Sequence, residues 1–305
     1  MSDPTGSNRS RPAGDLERLA AAERLLGLRR GDAAWFLRRM QDEGWRPTDL
    51  WCRSAPDGPL TATGLITEHP GRTATLSVGA CRDPEQAHEA ALLLADMVAE
   101  LARRARVALA QGMTPAEDPL SGAPFVEAGF LDLAVLACME RTNGRQTRRP
   151  DLPQGVELVA TKGDHSLQPL LRATYEETLD CPGLADLRKD EDILEGHRRG
   201  GRFDPSLWTV LRVEGREAGA ALLNRATSGD SIELTYLGLA KWARGRGFGA
   251  LLLDAALWKA SGAPERTVTL AVDERNAPAE RLYRSRGFRT VARRRAFARR
   301  VDSST

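Results

Sequence analysis

Short runs of alternating apolar and polar residues recur twice along the chain, on either side of Arg141–Pro153 (RTNGRQTRRPDLP), a polar stretch without periodicity. Asp49-Leu50-Trp51 starts a strand, turns at Asp57-Gly58-Pro59 and returns through Thr61 to Thr67. Ser206-Leu207-Trp208 starts another, turns at Glu214-Gly215-Arg216-Glu217 and returns through Ala218 to Asn224. Short turns between such runs predict antiparallel hairpins. A third strand follows in each half, Thr73–Val78 and Ile232–Leu239, and then a helix. Pro84–Arg104 carries an apolar face at Ala90, Leu94, Met97, Leu101 and Ala105; Gly247–Ala260 carries Leu253, Leu257 and Ala260, with Leu252 and Ala256 beside them. Buried strands are expected next, at Val107–Ala110 and Thr267–Val272. Both halves then reach Gly-Phe, at Gly129-Phe130 and Gly287-Phe288, and end on a strand. The Gly-Phe pairs stand 158 residues apart, and Trp51 and Trp208 stand 157 apart. Such agreement over a half-chain predicts a duplicated unit. The expected organisation is a disordered tail at 1–15, one domain at 16–140, a linker at 141–153 and a second domain at 154–305. Each domain is expected to be α/β (α+β), a mixed, mostly antiparallel sheet flanked by helices.

Candidate chemistry concentrates in the second half. There a strand runs into Arg244-Gly-Arg-Gly-Phe-Gly249, which opens an amphipathic helix. Glycines 245, 247 and 249 let backbone approach an anion and present successive N–H groups to it. The helix N-terminus adds partial positive charge, and Arg244 and Arg246 can supply charge-assisted hydrogen bonds to phosphate. No Lys-Ser or Lys-Thr comes after the loop, which excludes a nucleoside-triphosphate P-loop. Gly245, Gly247 and Ala250 also fit G-x-G-x-x-A, with Asp273 at the end of the next strand, so a nicotinamide-dependent oxidoreductase stays in view. The hairpin strands ahead of the loop argue against it, because that fingerprint comes after the first strand of a parallel unit.

Two stretches together resemble the GNAT superfamily of N-acetyltransferases: Arg244-x-x-Gly247-x-Gly249, and Asn276-x-x-Ala279-x-x-x-Tyr283-x-x-x-Gly287-Phe288 without a gap. The resemblance covers about Val156 to Arg300 and, more weakly, the half before it. Many relatives have Val-x-Pro before the Arg, where this chain has Leu239-Ala240-Lys241. The resemblance implies acetyl-CoA as acyl donor, no metal, and direct transfer to an amine. It implies that the strand through Leu237, Gly238 and Leu239 splays from its neighbour, with Leu239 N–H above all pairing with pantetheine. The amides of Arg244, Gly245, Arg246, Gly247, Phe248 and Gly249, continuing to Ala250, would hold the pyrophosphate. Asn276 and Tyr283 would approach the cofactor from the other side.

Acyl transfer to an amine needs a base, an oxyanion donor and an acid for the departing thiolate. Tyr283 is the candidate acid, against a packing role in its helix; Glu233 is the candidate base, against a solvent-facing strand position. Residues 176 to 195 hold Glu176, Glu177, Asp180, Asp186, Asp190, Glu191, Asp192 and Glu195. This acidic lip would attract a cationic amine, or is simply a solvated helix surface. The acceptor is expected to be a small-molecule or peptide amine. A non-catalytic acyl-CoA sensor using the same loop is the alternative.

In the first half the chemistry changes. On the 158-residue offset Tyr283 corresponds to Phe125, Asn276 to Asp118 and Ala279 to Ser121; where the second half has Arg-Gly-Arg-Gly-Phe-Gly, the first reads Cys81-Arg-Asp-Pro-Glu-Gln-Ala-His88, which has no glycine. Asp83 and Glu85 beside a helix start would repel a pyrophosphate, so this copy is expected to be degenerate.

Composition changes this picture little. With 41% hydrophobic and 28% charged residues the chain is globular, and its net charge of +2 does not argue for nucleic acid. The Arg-rich run from Arg284 to Arg300 is expected to be a solvated face. Cys52, Cys81, Cys138 and Cys181 lie far apart without metal-ligand spacing, and no apolar run reaches membrane length; no secretory leader is read, and a reducing cytoplasm is expected.

Overall fold

The computed structural model describes residues 9–42, 45–54, 58–144, 149–227 and 229–301. The chain falls into two compact units, Met1–Leu133 with Arg295–Thr305, and Ala134–Arg294.

In the first unit the elements are β1 (Arg9–Pro12), α1 (Arg18–Leu26), α2 (Arg30–Asp42), β2 (Leu50–Ser54), β3 (Leu60–His69), β4 (Thr73–Val78), α3 (Pro84–Arg104), β5 (Leu109–Pro115) and α4 (Pro119–Glu127), followed by the start of β6 (Leu131–Thr142). Strands β1 to β4 form an antiparallel meander, and β4 pairs in parallel with β5 only from Thr73 to Thr75. Alternation along β2 and β3 sends Trp51, Ala62 and Ile66 into the α3 core and Leu50, Cys52 and Leu65 into the α1–α2 core. Helix α3 starts where sequence places it: Asp83 accepts from Gln86 N–H at 2.8 Å ahead of Pro84, and left-handed Ala105 ends it.

The second unit holds the rest of β6, then β7 (Val156–Ala160), α5 (Gln168–Tyr175), α6 (Pro182–Ala185), α7 (Asp190–Arg199), β8 (Thr209–Val213), β9 (Arg216–Arg225), β10 (Ser231–Leu239), α8 (Phe248–Ala260), β11 (Thr267–Asp273), α9 (Ala277–Ser285) and the start of β12 (Arg289–Arg300). Its strands run in the order β6, β11, β10, β9, β8, β7, with α8 over one face and α5 and α7 over the other. Repeat spacing holds at β4 and β10, β5 and β11, and α4 and α9, which all begin 158 residues apart; β3 and β9 begin 156 apart and α3 and α8 begin 164 apart.

Three expectations are corrected. Of the tail at 1–15, residues 1–8 lie outside the described residues, but Arg9–Pro12 form β1 and pair antiparallel with β2 from Ser54 to Trp51. Backbone pairing needs no apolar side chain, so composition gives no sign of it; Arg11 adds bonds to Glu17 and Cys52 at 2.7 and 2.8 Å. The boundaries also move. Residues 134–142 belong to the second unit, where β6 pairs with β11 from Leu136↔Asp273 to Thr142↔Thr267, and Asn143 donates to the Ala260 and Glu265 carbonyls at 2.8 Å. Conversely the last residues count with the first unit: Phe297 stacks on Phe125 at 5.0 Å and Val301 N–H donates to Ala108 O at 2.9 Å. Final strands of two similar halves carry similar patterns, so pattern alone does not say which sheet each completes. Of the expected linker, 145–148 lie outside the described residues, as does Asp57 of the first hairpin turn. Third, β5 begins at Leu109 instead of Val107, and Ser206-Leu207 sit in a short turn capped by Asp204, so β8 starts at Thr209.

Candidate active site

Glu233 is the last residue of β10 paired with β11, opposite Thr269. Beyond it the two parallel strands part. On the β9 side, register shifts between Leu234 and Tyr236, a bulge at Thr235 whose hydroxyl donates to Leu222 O at 3.1 Å. The bulge bends β10 away from β11, and alternation along β10 then sets which amides face the gap. Ala240 N–H donates to Ala218 O on β9 at 2.8 Å, so Gly238 N–H faces β9 while Leu237 and Leu239 N–H face the gap. On the opposite bank Glu274 N–H donates to Val135 O at 2.9 Å, which turns Asp273 N–H into the gap. Counting from the Glu233 rung places Asp273 across from Leu237 or Gly238, one residue being taken up by the bulge.

At the open end of β10 the glycine loop begins α8. Gly245 and Gly247 have φ of 73° and 83°, the left-handed region, and Gly247 caps the helix. Among the described residues, no hydrogen-bond partner in the chain takes the N–H groups of Gly245, Arg246, Gly247, Phe248 and Gly249. Five consecutive amides opening a helix can form a cradle for an anion. Its ends differ from expectation: Arg244 N–H is taken by Lys241 O at 3.3 Å and Ala250 N–H by Gly247 O at 3.1 Å, because a 3-10 turn closes before the loop and the helix ladder starts after it. The Arg244 side chain is likewise committed. Its guanidinium donates to the carbonyls of Leu239, Glu177, Thr174 and Glu176 at 2.7–3.0 Å, tying the segment after α5 to the end of β10. Arg246 is exposed, with its guanidinium 5.0 Å from the Phe248 ring, and makes no ion pair among the described residues.

Tyr283 lies in α9 and is 7% exposed, edge-on to Phe288. Its hydroxyl has no hydrogen-bond partner among the described residues, and burial, with Asp180 and Tyr236 nearby, pushes its pKa up. Asn276 caps α9, accepting from Ala279 N–H at 3.3 Å. Glu233 is exposed on the α5–α7 face and opposite Asn224, yet the surrounding protein raises its carboxyl above the usual carboxylate range.

A strap crosses the gap. Residues 174–177 are held to β10 by Arg244, and Lys241 pairs with Glu177 at 2.5 Å. Asp180 Oδ1 then accepts from Asp273 N–H at 2.8 Å, and Cys181 N–H donates to Asp273 Oδ2 at 3.2 Å. Burial raises the Asp180 carboxyl, with Asp273 adding to it. The Cys181 thiol is pushed up to about 12 by burial and by both carboxylates, which disfavours the thiolate.

The "Acetyltransferase (GNAT) family" profile matches residues 170–288, taking in strap, splay, loop and Tyr283. Residues 170–288 are a GNAT domain. Among solved structures, a GCN5-related N-acetyltransferase from Sphaerobacter thermophilus is 19% identical with a TM-score of 0.59, over 98% of this chain and 97% of that one. A tandem GNAT protein from the clavulanic acid biosynthesis pathway is 16% identical with a TM-score of 0.51, over 98% and 100%. A GCN5-related N-acetyltransferase from Kribbella flavida is 17% identical with a TM-score of 0.50, over 80% and 88%. These likenesses are of fold, and the first two span the whole chain. No curated protein matches.

The GNAT domain's Asp273 has no free carboxylate for a ribose, as a dinucleotide site would need: it is fully buried and spent on Arg275, at 2.7 Å, and Cys181. Sequence reasoning missed Tyr236. Its hydroxyl bonds to Thr174 Oγ1 at 2.5 Å and lies over Gly238, where a Cβ would overlap it. A Tyr-x-Gly pair on one strand face was the available signal. The acidic lip is mostly spent: Glu177 pairs with Lys241, Asp190 with Arg172 and Glu195 with Arg199, and Asp192 is buried. Likewise much of the Arg-rich run is paired, Arg284 with Glu280, Arg286 with Asp254 and Arg293 with Glu274. All four cysteines are free thiols; among the described residues no helix is long and apolar enough to cross a membrane, and no His, Cys, Asp and Glu group is arranged to hold a metal.

In the first unit β4 also parts from β5 after Thr75, but β3 and β4 pair without a bulge. Asp83 caps α3 in place of the glycine loop, and Asp118 caps α4 as Asn276 caps α9. Phe125, at the Tyr283 position, is fully buried between Phe130 and Phe297 and fills the space above Gly112.

No atom lies within 4 Å of a Cβ built at Gly247, so Gly247→Val obstructs only what enters the cradle. Acetyl-CoA affinity measured by calorimetry is expected to fall about tenfold or more, since anion–helix contacts reach ~2 kcal/mol. Gly247→Ala carries the same positive-φ strain with less bulk and should fall less. Equal losses in both would assign the effect to backbone strain.

Proposed function

We propose that the second unit moves an acetyl group from acetyl-CoA directly to a primary amine. The family domain and the fold support acyl-CoA-dependent acetyl transfer; the carrying observation is the gap whose Leu237 and Leu239 amides are aligned with five partnerless amides at 245–249. In this reading the cradle holds pyrophosphate, with Arg246 at its rim, and pantetheine takes the place of the missing strand beside β10. One amide of the splayed edge polarises the thioester carbonyl and stabilises the oxyanion. The amine nitrogen attacks that carbon, a C–N bond forms, the ammonium proton passes to Glu233 directly or through water, and the C–S bond breaks as Tyr283 protonates the sulfur. With Tyr near ~10 and a thiol near ~8.5, full transfer to a free thiolate is uphill, and the raised Tyr283 makes it more so. Donation is therefore concerted with C–S cleavage.

The first unit lacks the bulge, the glycines and the hydroxyl, so one acetyl-CoA should bind per chain. Calorimetric stoichiometry near two would overturn this. Mass spectrometry of products from a pooled amine library tests the transfer itself; tight binding with no acetylated product would leave an acyl-CoA-binding protein.

A further inference from the structure

We infer that Arg244 serves the acceptor and not the phosphates of the donor: it is a positioning residue that fastens residues 174–181 across the gap, as the wall against which the amine is held. This rests on the acetyl-transfer reading above. A guanidinium has five N–H donors. Arg244 commits four of them to carbonyls: Nε to Leu239 at 3.0 Å, Nη1 to Glu177 at 3.0 Å, and Nη2 to Thr174 and Glu176 at 2.9 and 2.7 Å. One N–H at most is left for a phosphate oxygen, and the bidentate grip that suits phosphate is gone. The Leu239 carbonyl lies on the open edge of β10, beside the N–H that faces the gap, and the other three carbonyls belong to the strap. One side chain therefore joins the end of the splayed strand to the segment lying over it.

The strap lies on the acceptor's side of the gap because the donor's parts lie on the other. Gly247 opens α8, and Tyr283 packs in the α8 core. The strap continues α5 on the opposite face of the sheet, where Tyr236 bonds to Thr174 Oγ1 at 2.5 Å and lies over Gly238. Its far end is fastened to β11: Asp180 Oδ1 accepts from Asp273 N–H at 2.8 Å, and Cys181 N–H donates to Asp273 Oδ2 at 3.2 Å. Apolar burial does not hold the strap, since Glu176, Glu177, Leu179 and Asp180 are exposed. Two of its residues, Glu177 and Cys181, have φ of 48° and 46°, a left-handed conformation that residues other than glycine keep only where their surroundings impose it. Those two are held through their backbone by Arg244 and Asp273. Polar fastenings at the two banks thus set where the strap stands. An amine approaching the thioester from this face is confined by it, and Arg244 fixes the β10 bank.

Lysine separates the two roles. It keeps the charge and is itself a good phosphate ligand, but one ammonium cannot span four carbonyls. The test uses the full chain with Arg244→Lys and Arg244→Gln, hydrogen exchange of the strap, and calorimetry with two probes. One probe is acetyl-CoA; the other is CoA carrying an S-linked CH2–CO–NH–butyl group, which reaches past the acyl position to the strap. In both variants the strap amides that are bonded in wild type, Thr178, Asp180 and Cys181, should exchange about tenfold faster or more, the size of one lost charge-assisted bond, while α8 amides hold. Acetyl-CoA affinity should stay within about twofold in Arg244→Lys. Wild type should bind the conjugate about tenfold tighter than acetyl-CoA, as burial of about two methylenes gives, and both variants should lose that advantage. An Arg244→Lys variant that keeps strap protection and the conjugate's advantage, while Arg244→Gln loses acetyl-CoA affinity, would overturn the inference and return Arg244 to the donor. Equal losses for both probes, or no advantage for the conjugate in wild type, would also overturn it. If the Arg244 variants do not fold, Asp180→Ala frees the β11 end and must show the same split between probes. Failure of wild type to bind acetyl-CoA would instead strike the acetyl-transfer reading.

Discussion

Tyr283→Phe is expected to lower kcat by about 10²–10⁴-fold, the usual loss on removing a general acid, with acetyl-CoA affinity nearly unchanged. The structure makes this substitution unusually clean. The Tyr283 hydroxyl has no hydrogen-bond partner among the described residues, so its removal orphans no buried group. The ring keeps its edge-on contact with Phe288 and its place in the α8 core. Thermal stability should therefore hold or rise slightly while turnover collapses. Thiol release under saturating acetyl-CoA, beside a melting curve, measures both. A variant with undiminished kcat would leave Tyr283 a packing residue and place the acid elsewhere.

Glu233→Gln should abolish the acidic limb of the pH–rate profile. The sign comes from the chemistry. A base works when ionised, so rate falls as pH drops through its pKa, and the raised carboxyl puts that limb above the ordinary Glu value near ~4.3. Gln keeps shape and polarity but takes no proton, so the remaining rate should be lower by about 10²–10⁴-fold near neutrality. It should recover as pH approaches the ~10 range of a free alkylamine, where the acceptor deprotonates itself. A limb that persists in the variant would move the base off Glu233, with Asp180 the next carboxylate along the gap.

The chain by itself determined everything carried by local periodicity and glycine. Alternation marked both hairpins, the α3 and α8 faces were spaced at helical intervals, and Gly245 and Gly247 announced left-handed backbone before a helix. The repeat was legible because the same turn, strand and helix lengths recur at one offset. The differences between the halves were written in single residues, Phe125 for Tyr283 and Asp83 where glycines would stand.

Only tertiary structure decided what each group was spent on. Arg244 reads as a phosphate ligand until the strap brings three carbonyls to its guanidinium; the acids at 177, 190 and 195 read as a lip until cations distant in sequence or on the next helical turn neutralise them. Asp180 gained its meaning the same way, by reaching the open edge of β11. The membership of β6 and β12 was undecidable from pattern, since each half ends on a strand fit for either sheet. The physical reason is common to all of these. Periodicity records which face of an element is buried, whereas a charge or a backbone edge is satisfied by whatever the fold brings within about 3 Å, and that partner sits anywhere in the chain.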